Sequence, residues 1–352
     1  MTINLTTSLT ILEGETYAAT SGAVFYMAAY PDDFWFRNYG TIHATGRDVI
    51  GFLGWTVRGD FLNAGLIRVD SAGGLSYGLR FESWGPDVVN TGRIEMNGRG
   101  TAVSSWSPHQ VFDNRGVVIA TDLEGGGEAL WFRNGAEISN TGRILAYGPA
   151  ARAIFIDHFH VSLEIAPTVY RHDGYFENNG DIVAQGTGGG PTYALALSGV
   201  EAAYGASGPN VVNNGFMQAD RVIWWEAGGY TPRQHAEQWV VKHGEMYGDI
   251  FLDTGDDRFI SDGVYSGHLD MGEGDDQVDL SANSGLVTVD LGYGADIALG
   301  NDAVDHIEGG SGDDQLRGAG GHDYLDGAEG DDLLFGGSGD DTLVGGWQRD
   351  RL

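Results

Sequence analysis

The first 248 residues repeat one pattern of apolar and polar positions: an apolar residue, then x-Asn-x-Gly-x, then an aliphatic residue. These fixed residues occupy alternate positions, so in an extended chain they share one face. An eighth, weaker copy begins at Val240 and has Lys242 in place of the asparagine. The asparagines of the other seven copies are Asn38, Asn63, Asn90, Asn114, Asn140, Asn178 and Asn213.

Each copy continues through a glycine-rich turn into a second apolar stretch, such as DVIGF or EALWF. A strand, a turn, a second strand and a return within about 25 residues is the size of one coil of a parallel β-helix. Stacked coils would place the asparagines above one another, where each amide can donate to the next side-chain carbonyl. A β-sandwich also has short strands at intervals, but it gives no reason to repeat one signature. The sequence therefore predicts an all-β fold with a parallel β-helix over residues 1–248.

A second repeat of nine residues begins at Gly309, with units such as GGSGDDQLR and GAEGDDLLF. Each unit has aspartate at its sixth place and leucine at its eighth, and three imperfect units precede them from Leu252. Glycines allow tight turns with positive φ, and the apolar eighth residue begins a short strand that faces the core. The turn glycines with the clearest pattern are Gly310, Gly312, Gly337 and Gly339. The sixth-place aspartates are Asp257, Asp276, Asp296, Asp314, Asp323, Asp332, Asp341 and Asp350.

Two units per coil would place alternate aspartates on opposite edges of this second solenoid. One edge would carry Asp257, Asp276, Asp296, Asp314, Asp332 and Asp350. The other edge would carry Asp323 and Asp341, with Asp305 as a weaker member. The sequence thus predicts a parallel β-roll over residues 249–352 that continues the β-helix.

The charge distribution makes cations the natural partners of this chain. The formal net charge is −31, and residues 249–352 carry 25 acidic and 4 basic side chains. Such a segment repels itself when it is compact, so we expect it to need counterions to fold. Clustered basic residues are absent, which argues against a nucleic-acid binder or a polybasic membrane-surface protein. No apolar run reaches the length of a membrane span, and the absence of cysteine excludes disulfides.

The carboxy-terminal repeat resembles the repeat-in-toxin (RTX) β-roll family, whose signature GGxGxDxUx it matches. The resemblance implies that Ca²⁺ lies between the turns of neighbouring coils, bound by the sixth-place aspartates and by carbonyls of the glycine-rich turns. It also implies an extracellular or cell-surface protein exported by type I secretion. The amino-terminal coils are similar to those of secreted β-helical surface proteins and autotransporter-like passengers.

Three function classes follow from this combination. The leading hypothesis is a non-enzymatic calcium-binding protein with a structural or adhesive role, with an acidic polysaccharide or a cell surface as a further partner. A filament or surface-layer subunit that assembles end to end is a second hypothesis, because the ends of a solenoid expose strand edges.

The third hypothesis is a uronan lyase or epimerase. The spacing between Asn140 and Asn178 is about ten residues too long, and an insertion in a solenoid often carries function. Arg152, His158, His160 and Arg171 form the compact cluster there that is able to supply an acid, a base and a charge for a uronate. The HExxH and GxSxG motifs of other enzyme classes are absent.

Overall fold

The computed structural model describes residues 2–27, 34–55, 59–83, 85–107, 110–133, 136–157, 175–187, 190–198, 211–226 and 238–352. These residues form parallel strands in two sheets of 22 and 14 strands. In the described part of the chain, no helix is long and apolar enough to cross a membrane. The all-β parallel solenoid predicted from the sequence is confirmed.

The strands stack coil upon coil into faces that run along the solenoid. The asparagine face, which is the 14-stranded sheet, consists of Leu9–Ile11, Phe34–Asn38, Gly59–Asn63, Asp87–Asn90, Gln110–Asn114, Ala136–Asn140, Tyr175–Asn178, Val211–Asn213, Trp239–Lys242, Arg258–Ser261, Gln277–Asp279, Ile297–Leu299, Gln315–Gly320 and Leu333–Ser338. The second face consists of Thr16–Ala19, Thr41–Gly46, Leu66–Ser71, Arg93–Asn97, Val117–Thr121, Arg143–Tyr147 and Asp181–Gln185. The third face consists of Ile3–Leu5, Gly22–Met27, Val49–Gly54, Ser76–Phe81, Gly100–Ser105, Glu128–Arg133, Arg152–Asp157 and Tyr193–Ser198.

The second and third faces merge in one long strand, Phe216–Glu226. Its first residues pair with Asp181–Gln185 of the second face, and its last residues pair with Tyr193–Ser198 of the third face. The step from Phe216 to its partner Glu245 is 29 residues long. From Glu245 onward each coil has two strands and a repeat of 18 to 20 residues. The merged face continues through Glu245–Phe251, Val264–Asp270, Val287–Asp290, His306–Ser311, Tyr324–Glu329 and Thr342–Val344.

The amino-terminal coils have three strands each, so the expectation of two strands per coil is wrong. The chain leaves the extended conformation at the Asn-x-Gly step and turns a corner there. The amides of Ala64 and Gly65 both donate to the carbonyl of Asn38 in the preceding coil, at 2.8 Å. A Cβ on Gly65 would collide with the carbonyl of Gly40, which is why this corner requires glycine. Alternation of apolar residues continues through the corner, so periodicity alone did not reveal it.

Aromatic side chains fill the core of the first coils. Phe36 and Phe61 occupy the same place in neighbouring coils, and their rings stack with centroids 4.9 Å apart. Phe52 of the third face packs against both rings, at 4.8 and 5.0 Å. All three side chains are buried. In the roll, the smaller eighth-place leucines, such as Leu316 and Leu325, replace them in the core.

The seven asparagines form one continuous hydrogen-bonded row inside the solenoid. Each Nδ2 donates to the Oδ1 of the asparagine in the next coil, at 2.7 to 2.8 Å, from Asn38 to Asn213. All seven side chains are fully buried. Because buried polar groups are costly unless they are paired, each of these hydrogen bonds offsets the cost of burying the two asparagines that it joins.

Lys242 ends the asparagine row and is the only lysine in the chain. It pairs with Asn213 in the register of the asparagine face, which agrees with an eighth copy of the repeat. Its side chain is fully buried, and Nζ donates to Ser261 Oγ at 3.3 Å. Burial lowers the pKa of this ammonium to about 8.

The buried lysine predicts a specific pH dependence of stability. Between pH 8 and its ordinary pKa of 10.5, the unfolded chain holds the Lys242 proton and the folded chain does not. The unfolding free energy of the wild type should therefore rise with pH over this interval, by up to about 3 kcal/mol. Lys242→Met keeps an apolar stem but removes the titrating group. In saturating calcium, the urea midpoint of the wild type should rise relative to that of Lys242→Met as the pH increases from 8 to 10.5. Urea midpoints of the two proteins that change with pH in parallel would contradict this account.

The proposed division at Gly248 falls inside a paired strand. Glu245–Phe251 pairs with Phe216–Glu226 on one side and with Val264–Asp270 on the other. The strands of the two regions are thus paired across this point, and the division into residues 1–248 and 249–352 stays a prediction.

Candidate metal centre

The sixth-place aspartates lie in two rows, one at each edge of the roll. The members of the first row from Asp257 to Asp332 each precede a strand of the asparagine face, and those of the second row each precede a strand of the merged face. Asp350 precedes Arg351, which forms an isolated bridge with Leu333. The first row contains Asp257, Asp276, Asp296, Asp314, Asp332 and Asp350, and the second contains Asp305, Asp323 and Asp341. This is the placement that two units per coil predicts.

One carboxylate oxygen of each aspartate except Asp305 accepts a hydrogen bond from the preceding coil and so fixes the spacing between coils. The amide of Asp257 donates to Asp276 Oδ1 at 2.7 Å, and the same bond repeats along the first row to Asp350, where it measures 3.2 Å. In the second row, the amides of Asp305 and Asp323 donate to the next aspartate at 3.0 Å. Each of these bonds therefore places a carboxylate against the turn of the previous coil.

The other carboxylate oxygen is buried and has no hydrogen-bond partner. This holds for Oδ2 of Asp257, Asp276, Asp296, Asp314, Asp323 and Asp332. Asp305 differs, because its Oδ2 accepts the amide of Asn301 at 2.7 Å and its Oδ1 is the oxygen left without a partner. A buried charged oxygen without a partner is strongly unfavourable, so these atoms identify the positions where a positively charged ligand belongs.

Burial makes these aspartates difficult to ionise without a cation. It raises the pKa of Asp257 to about 9 and that of Asp276 to about 8. Asp296 and Asp314 have pKa values raised to about 7, again mainly by burial, and the carboxylates around them add to the shift. The backbone amide that each accepts works in the opposite direction but is the smaller effect. The rows therefore concentrate groups that only a nearby positive charge would hold in the ionised form.

The turn glycines allow the coils to approach this closely. Gly310, Gly312, Gly337 and Gly339 all have φ between 101° and 137°, a conformation that favours glycine. A Cβ at Gly312 would collide with the carbonyl of Gly294, one coil earlier.

The first-place glycines have a separate role that the sequence analysis missed. A Cβ on Gly309 would collide with Asp314 Oδ2, and a Cβ on Gly327 would collide with Asp332 Oδ2. In the sequence, this role was indicated by a glycine at a constant position, three residues before the fourth-place glycine of each unit.

The donor set fits calcium. Calcium prefers oxygen ligands, including carboxylates and backbone carbonyls, and the orphaned atoms of both rows are carboxylate oxygens. Among the described residues, no three aspartate, glutamate or histidine side chains converge on one point. Each site would therefore combine one or two aspartates with turn carbonyls, as the sequence resemblance implies.

The fifth-place acidic residues stay at the surface. Asp313 is exposed, although it is the immediate neighbour of the buried Asp314. Its Oδ1 accepts the amide of Asp331 in the next coil at 2.9 Å. The turn at Asp314 thus presents two adjacent carboxylates in different environments, and of the two it is Asp314 that has an unpartnered buried oxygen.

Only one member of the proposed catalytic cluster can be placed. Arg152 donates to Glu128 Oε1 at 2.8 Å and lies over the ring of Phe155. Burial raises the pKa of Glu128, and Thr101 also donates to this carboxylate, at 2.8 Å. These groups border a groove of about 1050 Å³ formed by the turns between the second and third faces. His158, His160 and Arg171 lie outside the described residues.

A parallel solenoid with rows of buried carboxylates at its turns defines a metal-binding repeat protein. Residues 290–325 and 317–352 match the RTX calcium-binding nonapeptide repeat. The last coils of the chain are therefore RTX repeats, which bind calcium and are typical of secreted proteins. The searches of curated proteins and of solved structures returned no match to the chain. Asp257 and Asp276 precede the matched residues, but their backbone amides also donate to the carboxylate of the next aspartate in the row.

Proposed function

We propose that this chain is an extracellular calcium-binding structural protein, exported by type I secretion, whose roll folds when it meets external calcium. The observation that carries the proposal is the pair of aspartate rows, in which one carboxylate oxygen accepts an amide of the preceding coil and the other is buried without a partner. Calcium, when bound, supplies positive charge to these oxygens. The asparagine row of the amino-terminal coils has no such requirement, because the amides from Asn38 to Asn178 each donate to the next Oδ1 and Asn38 Oδ1, at the first member, is the oxygen of the row left without a partner.

The charge of the roll supports folding outside the cell. With 25 acidic and 4 basic residues in 104, the segment opposes its own collapse wherever free calcium is scarce. Extracellular calcium modules bind with dissociation constants of roughly 10⁻⁴ to 10⁻³ M, and we expect affinities in this range. An unfolded roll inside the cell and a folded roll outside it would then follow from mass action alone.

Asp314 and Asp313 provide a matched test of the site. Asp314→Asn removes a charge from the buried row, and Asp313→Asn removes the same charge from the surface one residue earlier. We expect the first variant to raise the calcium concentration at half-saturation about tenfold, which corresponds to about 1.4 kcal/mol. The second should change it by less than about twofold, because exposed charges interact weakly. Calcium titrations followed by calorimetry measure both, and equal effects would show that net charge, and not the row, controls binding.

The other functions named from the sequence stay predictions. An enzyme would need the cluster around Arg152, whose remaining members lie outside the described residues. An adhesive role would need a ligand for a surface such as the groove beside Arg152. End-to-end assembly would need complementary solenoid ends.

A further inference from the structure

Gln238 occupies the place of a sixth-place aspartate one coil before Asp257. Its backbone amide donates to Asp257 Oδ1, 19 residues later, at 2.7 Å. The backbone amide of Asp257 donates to Asp276 Oδ1 in the same way. The backbone carbonyl of Gln238 accepts the amide of Arg258 at 2.7 Å, as the carbonyl of Asp257 accepts the amide of Gln277 at 2.9 Å. Gln238 is therefore one further member of the first row, in addition to its aspartates.

The side-chain oxygen of Gln238 is in the same environment as the carboxylate oxygens of the row. Gln238 is 2% exposed, and its Oε1 has no hydrogen-bond partner. Asp257 is 1% exposed, and its Oδ2 also lacks a partner. A buried acceptor without a partner is unfavourable. Gln238 and Asp257 are neighbours in the row, so both coils have a buried acceptor that lacks a donor at this point.

We propose that Gln238 and Asp257 hold one further calcium ion, at the amino end of the first row. The inference rests on the proposed function, because it extends the same series of sites. Calcium accepts the carbonyl oxygen of an amide as well as carboxylates, so glutamine is an acceptable ligand. The side-chain amide of Gln238 is neutral, so this site has one negative charge fewer than a site between two aspartates. It should therefore bind calcium more weakly and fill last.

The position of Gln238 gives this ion a distinct role. The strand that follows, Trp239–Lys242, pairs with Val211–Asn213 on one side and with Arg258–Ser261 on the other. An ion at Gln238 therefore joins the first coil of the roll to the last coil of the asparagine repeat. The row of ions then acts on the boundary between the two repeats as well as within the roll.

Counting bound ions tests the proposal. Gln238→Met keeps the length of the side chain and removes its oxygen. Gln315→Met is the matched control, because Gln315 is exposed and follows the sixth-place Asp314. Native mass spectrometry of the full chain in saturating calcium should show one ion fewer in Gln238→Met and the wild-type number in Gln315→Met. A wild-type number of ions in Gln238→Met would overturn the proposal.

A second variant keeps the test decisive if Gln238→Met fails to fold. Gln238→Glu adds a carboxylate oxygen at the same place, so the last binding step should move to a calcium concentration about tenfold lower. An unchanged binding curve for Gln238→Glu would also overturn the proposal. If the wild type and every variant bound no calcium, the proposed function itself would be wrong, which separates the two failures.

Discussion

Removal of calcium should unfold residues 249–352 and leave the amino-terminal coils folded. Without a cation, the first row would bury adjacent carboxylates whose inner oxygens have no partner, from Asp257 to Asp332. At a calcium concentration one hundred times the dissociation constant, each site contributes about 2.7 kcal/mol to folding. Four such sites together contribute about 11 kcal/mol, which is comparable with the whole stability of an ordinary domain, about 5–15 kcal/mol.

Circular dichroism and small-angle scattering measure this effect in one sample. Addition of EGTA should reduce the strand signal and increase the radius of gyration, and calcium should reverse both changes. Magnesium at the same concentration is the control, because Mg²⁺ demands a stricter octahedral geometry and gives up its water reluctantly. Identical strand content and dimensions with and without EGTA would contradict the prediction.

Asn114→Ala should be among the most destabilising substitutions in the amino-terminal coils. Asn114 accepts from Asn90 at 2.8 Å and donates to Asn140 at 2.7 Å, with all three side chains fully buried. Alanine would interrupt the row, leave Asn140 Oδ1 without its donor and open a cavity. Unpaired buried groups and the cavity together predict a loss of about 3–5 kcal/mol.

Asn179 provides the matched control for this substitution. It directly follows the ladder residue Asn178, but it is exposed and bonds the surface residues Glu177 and Asn214. Asn179→Ala should cost less than about 0.5 kcal/mol. Urea unfolding in saturating calcium compares the two variants, and similar losses would mean that the buried row is not a source of stability.

The sequence predicted the features that repeat with a fixed residue type. The asparagine row followed from its signature, and the two aspartate rows followed from intervals of 18 to 20 residues. The burial of leucines such as Leu316 at the eighth place followed from the same register. A solenoid repeats its environment in every coil, so a repeated residue reports a repeated environment.

The sequence did not predict features that depend on a break in the repeat. Gln238 is in register with Asp257, but its different side chain concealed its membership of the row. The corner after Asn38 was missed because apolar alternation continues across it. The burial of Lys242 depends on its tertiary surroundings, since a lysine in a repeat is ordinarily exposed.

Hydrogen exchange with and without calcium tests the central claim most directly. The amides of the rungs, such as that of Asp314, bond to the carboxylate of the next coil only when the roll is folded. We predict strong protection of residues 249–352 in calcium, its loss in EGTA, and unchanged protection of residues 34–55 and 110–133 in both conditions. Equal protection of the roll with and without calcium would contradict the account, because the aspartate rows would then be stable without any cation.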